Sequence, residues 1–363
     1  MARESPLQGD LLESIFSHVP TIDLLSALHV SRTWRRAVLS SIHRRPNRPW
    51  FFIHFLRRRG HHRRRGLSAA YDPHSQCWYI LPHVTPPPPI TCPFLRIAVP
   101  FQPLAATWSL LPPPLLHRND AVISLVNHTL IIAGGVCELG DRTCAVESLA
   151  LDSASFEWEN CEPMPESLRE SAAATWLAVA ASNNRLYVVE RGDPGRLAWF
   201  DLALGRWSSL RRVRLSSNVL SISAIGMGPD ALDGADRLIV VGLMDYGALG
   251  IWEVEPDKCG IREIGMLPPE AVARIAGEGG EGMPAVGFLS LGGFGFLYEL
   301  EGRGEVFACE FGSGKWNWEG IGWPPVVEED PTAMVVFGCA VPAVEDLIAS
   351  YGKVEGRDLR CNR

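Results

Sequence analysis

The chain has 363 residues, 47% of them hydrophobic, and a mean hydropathy of +0.05. This length suits one large domain with a small appendage, and the composition favours a packed globular protein over a disordered one. No apolar run reaches the roughly 18 residues of a membrane-spanning helix, and the first ten residues carry acids where a secretory signal would be basic and then apolar. We therefore expect a protein of the cytoplasm, the nucleus or both, without a membrane partner.

The net charge of −7 is unevenly distributed. Residues 1–65 carry a net charge of +9, and the remainder of the chain carries −16. A basic run, RRRGHHRRR, contributes six arginines to the first part: Arg57, Arg58, Arg59, Arg63, Arg64 and Arg65. Such a run can be a solvated loop, a nuclear localisation signal or a nucleic-acid patch. It contains no aromatic residue on which a base could stack, which argues against nucleic acid as a partner.

No pattern of catalytic or metal-binding residues is found in the sequence. The nine cysteines are scattered and form no C-x-x-C pair, which predicts reduced thiols in the core. The ten histidines include no H-E-x-x-H, and no G-x-S-x-G is present. We predict a protein that is not an enzyme, with no catalytic residue, no cofactor and no metal.

The segment 11–38, LLESIFSHVPTIDLLSALHVSRTWRRAV, predicts three short amphipathic helices. Asp10 is the predicted N-cap of the first helix, Pro20 ends it, and Thr21 is the predicted N-cap of the second. The third helix runs from Ser31 to Leu39. A segment this small cannot bury a core of its own, so it should pack as a cap on the following domain or bind another protein.

The same segment resembles the F-box. The positions that match its pattern in register are Leu7, Asp10, Leu11, Leu12, Ile15, Val19, Pro20, Asp23, Leu24, Leu25, Val30 and Trp34. Gln8 replaces a preferred proline, Phe16 a leucine and Ser31 a cysteine. The resemblance implies binding to the adaptor Skp1. The residues expected to contact Skp1 or form the F-box core are Leu7, Leu11, Leu12, Ile15, Phe16, Val19, Pro20, Leu24, Leu25, Val30 and Trp34.

The remainder of the chain contains a repeat, in which a strand and a turn lead to an aromatic or aliphatic residue and then to a polar or proline-rich loop. The repeat endings are centred on Trp78, Trp108, Trp158, Trp207, Ile261 and Trp316. From Trp108 onward they are 50, 49, 54 and 55 residues apart, close to the roughly 50 of a kelch blade. Apolar strands that often end on glycine precede most endings, at 128–135, 184–192, 236–243 and 288–300. The clearest double glycine is Gly134-Gly135.

These features resemble the divergent kelch propellers that follow F-boxes in plant proteins. We predict an all-α F-box over 1–46, an all-β kelch-type β-propeller over 47–345 and a C-terminal tail over 346–363. Six blades are expected, with seven as the alternative, because the proline-rich segment 83–118 is irregular. The strand at 332–341 should pair with the first blade, since ring closure removes exposed edges.

The resemblance implies a substrate-recognition subunit of an SCF (Skp1–cullin–F-box) ubiquitin ligase, which contacts cullin through the Skp1-like adaptor. The propeller would bind the target protein, and the basic run, which joins two strands of the first blade, would face that target. Related plant proteins suggest an enzyme of phenylpropanoid or flavonoid metabolism as the target. Two alternatives stay open: a kelch scaffold whose F-box-like segment is only a structural cap, and a Skp1-binding protein that regulates partners without ubiquitylation.

Overall fold

The computed structural model describes residues 9–45, 48–57, 67–81, 98–102, 107–153, 156–192, 194–229, 234–258, 260–277, 285–300, 304–311, 316–324, 333–343, 345, 346 and 348. It divides into two compact units. The first comprises residues 1–86, 100–108 and 324–363, and the second comprises 87–99 and 109–323. Leu7, the arginines from Arg58 to Arg65 and most of the predicted C-terminal tail lie outside the described residues. The predicted domain limits at 46 and 345 stay predictions.

The first unit contains three helices and one sheet. The helices are α1 (Asp10–Ser17), α2 (Asp23–Ala27) and α3 (Arg32–Arg44). The sheet consists of β1 (Trp50–Arg57), β2 (Leu67–Asp72), β3 (Cys77–Leu81) and the last strand of the chain, β23 (Ala333–Ala340). Their antiparallel order is β23-β1-β2-β3. The prediction that the C-terminal strand joins the first blade is therefore confirmed, with Phe52 opposite Gly338 and Val336 opposite His54.

Strand β1 is apolar from Trp50 to Leu56 except at His54, because both of its faces are buried. Trp50 and Phe52 point to the side of the three helices, where Trp50 stacks on Tyr79 at 5.6 Å between ring centroids. Phe51 points to the opposite face and stacks on Phe337 of β23 at 5.9 Å. A strand with one solvated face would alternate apolar and polar residues instead.

The second unit contains four four-stranded antiparallel meanders in chain order, which we call blades 2 to 5, the sheet of the first unit being blade 1. Blade 2 consists of β6 (Val122–Val126), β7 (Thr129–Ala133), β8 (Val146–Ala150) and β9 (Trp158–Cys161), and blade 3 of β10 (Leu177–Ala181), β11 (Arg185–Glu190), β12 (Gly195–Asp201) and β13 (Arg206–Trp207). Blade 4 consists of β15 (Val219–Met227), β16 (Leu238–Met244), β17 (Leu249–Glu255) and β18 (Gly260–Leu267). Blade 5 consists of β19 (Val286–Leu291), β20 (Phe294–Glu299), β21 (Val306–Glu310) and β22 (Asn317–Gly322). A short strand, β14 (Arg211–Val213), also pairs with β12.

Each pair of neighbouring blades in this unit shares an apolar core. Ile131 of blade 2 packs in one cluster with Val188 of blade 3. Tyr187 of blade 3 packs with Val240 of blade 4, and Ile251 of blade 4 packs with Phe288 of blade 5. Face-to-face contact of successive meanders is the packing that propeller blades use.

The predicted number of six blades, with seven as the alternative, is wrong for the described residues, which form five blades, four of them four-stranded and blade 3 with the additional strand β14. The repeat ending around Trp108 belongs to a two-stranded sheet made of β4 (Ala98–Gln102) and β5 (Thr107–Leu110). The physical reason is the density of prolines in this part of the sequence, from Pro86 to Pro114. Proline has no N–H to donate to a strand ladder, so a proline-rich segment pairs poorly.

The tryptophans of successive blades make equivalent contacts. The Trp158 indole Nε1 donates to the carbonyl oxygen of Pro112 at 2.8 Å, and the Trp207 Nε1 donates to the carbonyl oxygen of Glu162 at 3.0 Å. Each acceptor lies four residues after the tryptophan of the preceding repeat. Each indole therefore ties its blade to the end of the previous repeat. In blade 5, Trp316 lies over Gly265, four residues after Ile261.

The double glycine Gly134-Gly135 follows β7, where a side chain would not fit. Gly134 has φ +66°, and a Cβ there would lie 2.5 Å from the carbonyl oxygen of Ala172. The same oxygen accepts the Gly135 N–H at 2.6 Å, which joins this turn to the segment before β10. The turn is thus a close approach of two backbones that only glycine permits.

Gly134→Ala is expected to lower the free energy of unfolding by about 1–3 kcal/mol, because alanine adds backbone strain and a clash with the Ala172 carbonyl. Urea unfolding followed by tryptophan fluorescence measures this. Gly140→Ala is the matched control, since Gly140 also has a positive φ, +85°, but no atom lies within 4 Å of its Cβ position. Equal losses in the two variants would show that the clash contributes nothing.

The segment 288–300, predicted as one apolar strand, is part of a hairpin. It contains the end of β19 and all of β20, joined by Gly292 and Gly293 with φ +60° and +79°. Two successive positive φ angles are typical of a type I′ turn, which matches the twist of the flanking strands. These glycines therefore differ in role from Gly134-Gly135.

Candidate protein-binding surface

The three N-terminal helices bury one set of apolar residues against blade 1. Leu12 and Phe16 of α1, Leu24 and Leu25 of α2 and Val38 of α3 are buried in one cluster with Trp50, Phe52 and Tyr79 of the sheet. Trp34 of α3 is half-buried and meets the Phe16 ring edge-on at 5.2 Å between centroids. The helices thus complete their core with the first blade and do not need another protein for it.

A second set of apolar residues on the same helices is exposed. Leu11 and Ile15, one turn apart on α1, are 58% and 42% exposed, and Val30 in the α2–α3 turn is 60% exposed. Side chains four residues apart lie on one face of a helix, so Leu11 and Ile15 form one apolar ridge. Helix α1 is therefore apolar on two sides: Leu12 and Phe16 face the core, while Leu11 and Ile15 face solvent.

Polar contacts fix the helices to the sheet. Arg45, just after α3, donates to the carbonyl oxygens of Phe16 and Val19 at the end of α1 and to the Thr21 hydroxyl. Thr21 in turn donates to Asp72 of β2 at 3.5 Å. Burial lowers the pKa of Arg45, and the nearby Asp72 carboxylate opposes that change. The free carbonyls of α1 are thereby satisfied by a cation, which also suits the negative end of a helix.

Two of the predicted helix caps are wrong. Gly9, not Asp10, precedes α1, and Ile22, not Thr21, precedes α2; neither makes a side-chain capping bond. The Thr21 hydroxyl is engaged by Arg45 and Asp72 instead. Ser31 caps α3, since its hydroxyl accepts the Trp34 N–H at 3.1 Å. Ser31, one of the three positions at which the sequence departs from the F-box pattern, thus has a structural role as an N-cap.

The remaining sequence-predicted positions are placed as follows. Val19 and Pro20 are half-buried after α1. Trp78 and Trp158 are buried, and Trp207 and Trp316 are half-buried. Trp108 lies in β5, and its side chain is outside the described residues. The basic run lies between β1 and β2, the second and third strands of blade 1, and Arg57 ends β1.

Among the described residues, sequence reasoning missed one α-helix, α4 (Pro269–Ala276), between blades 4 and 5, and a 3-10 helix over Glu166–Ser171. The buried residues of α4, Ala271, Val272 and Ile275, pack in the core that blades 4 and 5 share. Pro269 in the first turn and apolar residues at helical spacing were the available signal. The adjacent glycine-rich run after Gly277 obscured it.

Among the described residues, no cluster of three or more His, Cys, Asp or Glu side chains could hold a metal ion. Within the same part of the chain, no helix is long and apolar enough to cross a membrane. The six described cysteines are free thiols. Burial raises the pKa of Cys309 and of Cys339 to about 12, which keeps these thiols protonated and unreactive.

Comparison with known proteins agrees with this architecture. The model of the F-box domain matches residues 7–45. An F-box/kelch-repeat protein of Arabidopsis thaliana is 31% identical over 334 residues, which cover 86% of this chain and 83% of the relative. The chain belongs to the F-box/kelch-repeat family. The solved structure of YjhT aligns with 60% of this chain and 68% of its own, at a TM-score of 0.40 and 10% identity.

Proposed function

We propose that this protein is the substrate-recognition subunit of an SCF-type ubiquitin ligase. The observation that supports the proposal is the exposed pair Leu11 and Ile15 on a helix whose opposite face already has its core. Exposed apolar residues rimmed by polar ones are typical of protein–protein interfaces. The F-box match and the related kelch-repeat protein favour a Skp1-type adaptor as the partner, with cullin bound through it.

The proposed mechanism is catalysis by proximity. The F-box helices attach the chain to the adaptor, and the blades hold a target protein. Bringing target lysines close to a ubiquitin-charged enzyme raises their effective concentration without any reaction on this chain. The chain itself contributes no catalytic residue, and an enzyme of phenylpropanoid or flavonoid metabolism is the proposed target class.

Two alternatives make different predictions. In a kelch scaffold, the F-box helices would serve only as the cap of blade 1, which their buried contacts with Trp50 and Tyr79 support. A regulator that binds the adaptor without ubiquitylation would keep the interface but produce no turnover.

The position of the basic run between the second and third strands of blade 1 fits a target-facing loop, which stays a prediction.

The test is reconstitution of the full chain with a purified Skp1-type adaptor and a cullin. We expect a stable ternary complex on size-exclusion chromatography, and stabilisation of bound proteins in cells when the proteasome is inhibited. A folded chain that forms no complex with the adaptor would contradict the proposal and favour the scaffold. A complex that changes the abundance of none of its partners would favour the regulator.

A further inference from the structure

Arginine carries nearly all of the positive charge in this chain. Of the 34 basic residues, three are lysines, Lys258, Lys315 and Lys353, and 31 are arginines. Lysine is normally among the commonest residues of globular proteins. The first 257 residues, including the whole F-box match, contain none. Such a strong bias suggests that one of the two side chains is selected against.

Structural need explains only some of the arginines. Arg118 is buried and Arg45 is half-buried, and each donates from two different guanidinium nitrogens to separate acceptors, a planar fork that the single nitrogen of a lysine lacks. Other arginines lie on the surface, among them Arg206, Arg212 and Arg214 around blade 3. A lysine would provide the same charge and solubility at such positions. The shape of the guanidinium therefore does not account for the whole bias.

The two side chains differ in their reactivity toward ubiquitin. A lysine ε-amine, once deprotonated, attacks the thioester between the ubiquitin C-terminal carbonyl and the cysteine of a ubiquitin-conjugating enzyme. The C–N amide bond forms as the C–S bond breaks, and the departing thiolate takes up the proton that the amine loses. The guanidinium of an arginine stays protonated at physiological pH because its pKa lies far above that range, and its delocalised nitrogens are not nucleophiles.

We propose that the replacement of lysine by arginine protects this chain from ubiquitylation inside its own ligase complex, an inference that rests on the proposed function. A receptor is held close to the charged enzyme for as long as it stays in the complex, so its own amines would compete with those of the target. Removing the acceptors protects the receptor without altering its charge.

Lys258 is the acceptor that remains exposed on the described surface. It lies in the turn between β17 and β18, and its side chain is 61% exposed. Its ammonium is 3.6 Å from Glu255, an exposed contact that holds a lysine only weakly. Of the lysines in the described residues, Lys258 is therefore the expected site of residual modification.

The experiment uses the full chain in a reconstituted complex of Skp1-type adaptor, cullin and its RING subunit, with conjugating enzyme and ubiquitin. Two variants, called lysine-restored, replace three exposed arginines by lysines and so keep the charge. They are Arg206→Lys/Arg212→Lys/Arg214→Lys on blade 3 and Arg32→Lys/Arg35→Lys/Arg36→Lys on α3. We expect at least one of them to be ubiquitylated about fivefold or more faster than the native chain, with mass spectrometry placing ubiquitin on the new lysines. In the native chain, Lys258→Arg should remove most of the slow modification.

Adaptor binding is measured on the same samples, which separates the possible failures. Normal adaptor binding with equal ubiquitylation of native and restored chains, whether high or undetectable, would overturn the protection. The assignment of Lys258 would be overturned if the native chain showed no modification. It would also be overturned if the Lys258→Arg variant were modified as fast as the native chain. Loss of adaptor binding by the native chain itself would overturn the proposed function and this inference together.

Discussion

Replacing Leu11 and Ile15 together by aspartate is expected to weaken the affinity for a Skp1-type adaptor by at least about a hundredfold. Both side chains are exposed and one turn apart on α1, so the substitution changes the proposed interface and not the core. Two carboxylates would have to be desolvated on binding without a partner. Isothermal titration calorimetry with the purified adaptor measures the effect, and urea unfolding checks that stability is retained.

The matched control is Leu139→Asp, because Leu139 is 92% exposed in the connection between β7 and β8, away from the F-box helices in sequence. Leu12→Ala, by contrast, changes the core, because the Leu12 side chain is only 1% exposed. We expect it to lower the free energy of unfolding by about 2–5 kcal/mol. A double aspartate variant that binds the adaptor as tightly as the native chain would remove Leu11 and Ile15 from the interface. A variant series should therefore not combine Leu12 with the two exposed residues.

Glu147→Ala is expected to reduce the free energy of unfolding by about 3–5 kcal/mol, because it leaves a buried cation without its anion. Glu147 in β8 and Arg118 are both buried and their charged groups are 3.1 Å apart. The Glu147 carboxylate also accepts the backbone N–H groups of Leu115 and Leu116 at 2.7 and 3.1 Å. Burial lowers the pKa of Arg118, while Glu147 opposes that change. Chemical denaturation of the full chain measures the loss.

The comparison for this variant is Glu166→Ala, which removes an ion pair with Arg169 on the protein surface. Because both side chains are exposed and screened by water, stability should hardly change. Glu147→Gln should have an intermediate effect, since the amide oxygen can still accept one N–H. Similar unfolding midpoints for Glu147→Ala and Glu166→Ala would mean that water solvates the Arg118 guanidinium once Glu147 is removed.

The F-box helices and most strands were predictable because local signals and packing agree there. Pro20 predicts the end of a helix, the apolar spacing around Leu24 predicts a helix, and the apolar residues before Gly134 predict a strand. The structure has each of these elements where the sequence predicts it. The pairing of β23 with β1 was predictable for a different reason, since an unpaired edge strand is costly. These features depend on a few neighbouring residues or on a general rule of sheet closure.

The exposure of individual residues was not predictable from the sequence. Leu11 and Leu12 are identical and adjacent, yet one faces solvent and the other lies in the core, a distinction that depends on where blade 1 contacts α1. Thr21 has good capping chemistry, but Arg45 and Asp72 compete for its hydroxyl from distant positions in the sequence. The blade count failed because a tryptophan at the right spacing, Trp108, can occur where prolines prevent a full ladder.

The pairing of β1 with β23 has a consequence for synthesis on the ribosome. Domains generally begin to fold as they emerge, but blade 1 lacks one strand until residues near 340 have been made. Until then, the platform beneath the F-box helices has an open edge at β1, which is a site for mispairing or chaperone capture. A chain that ends before β23 would therefore carry its N-terminal helices on a blade of three strands with one edge unpaired.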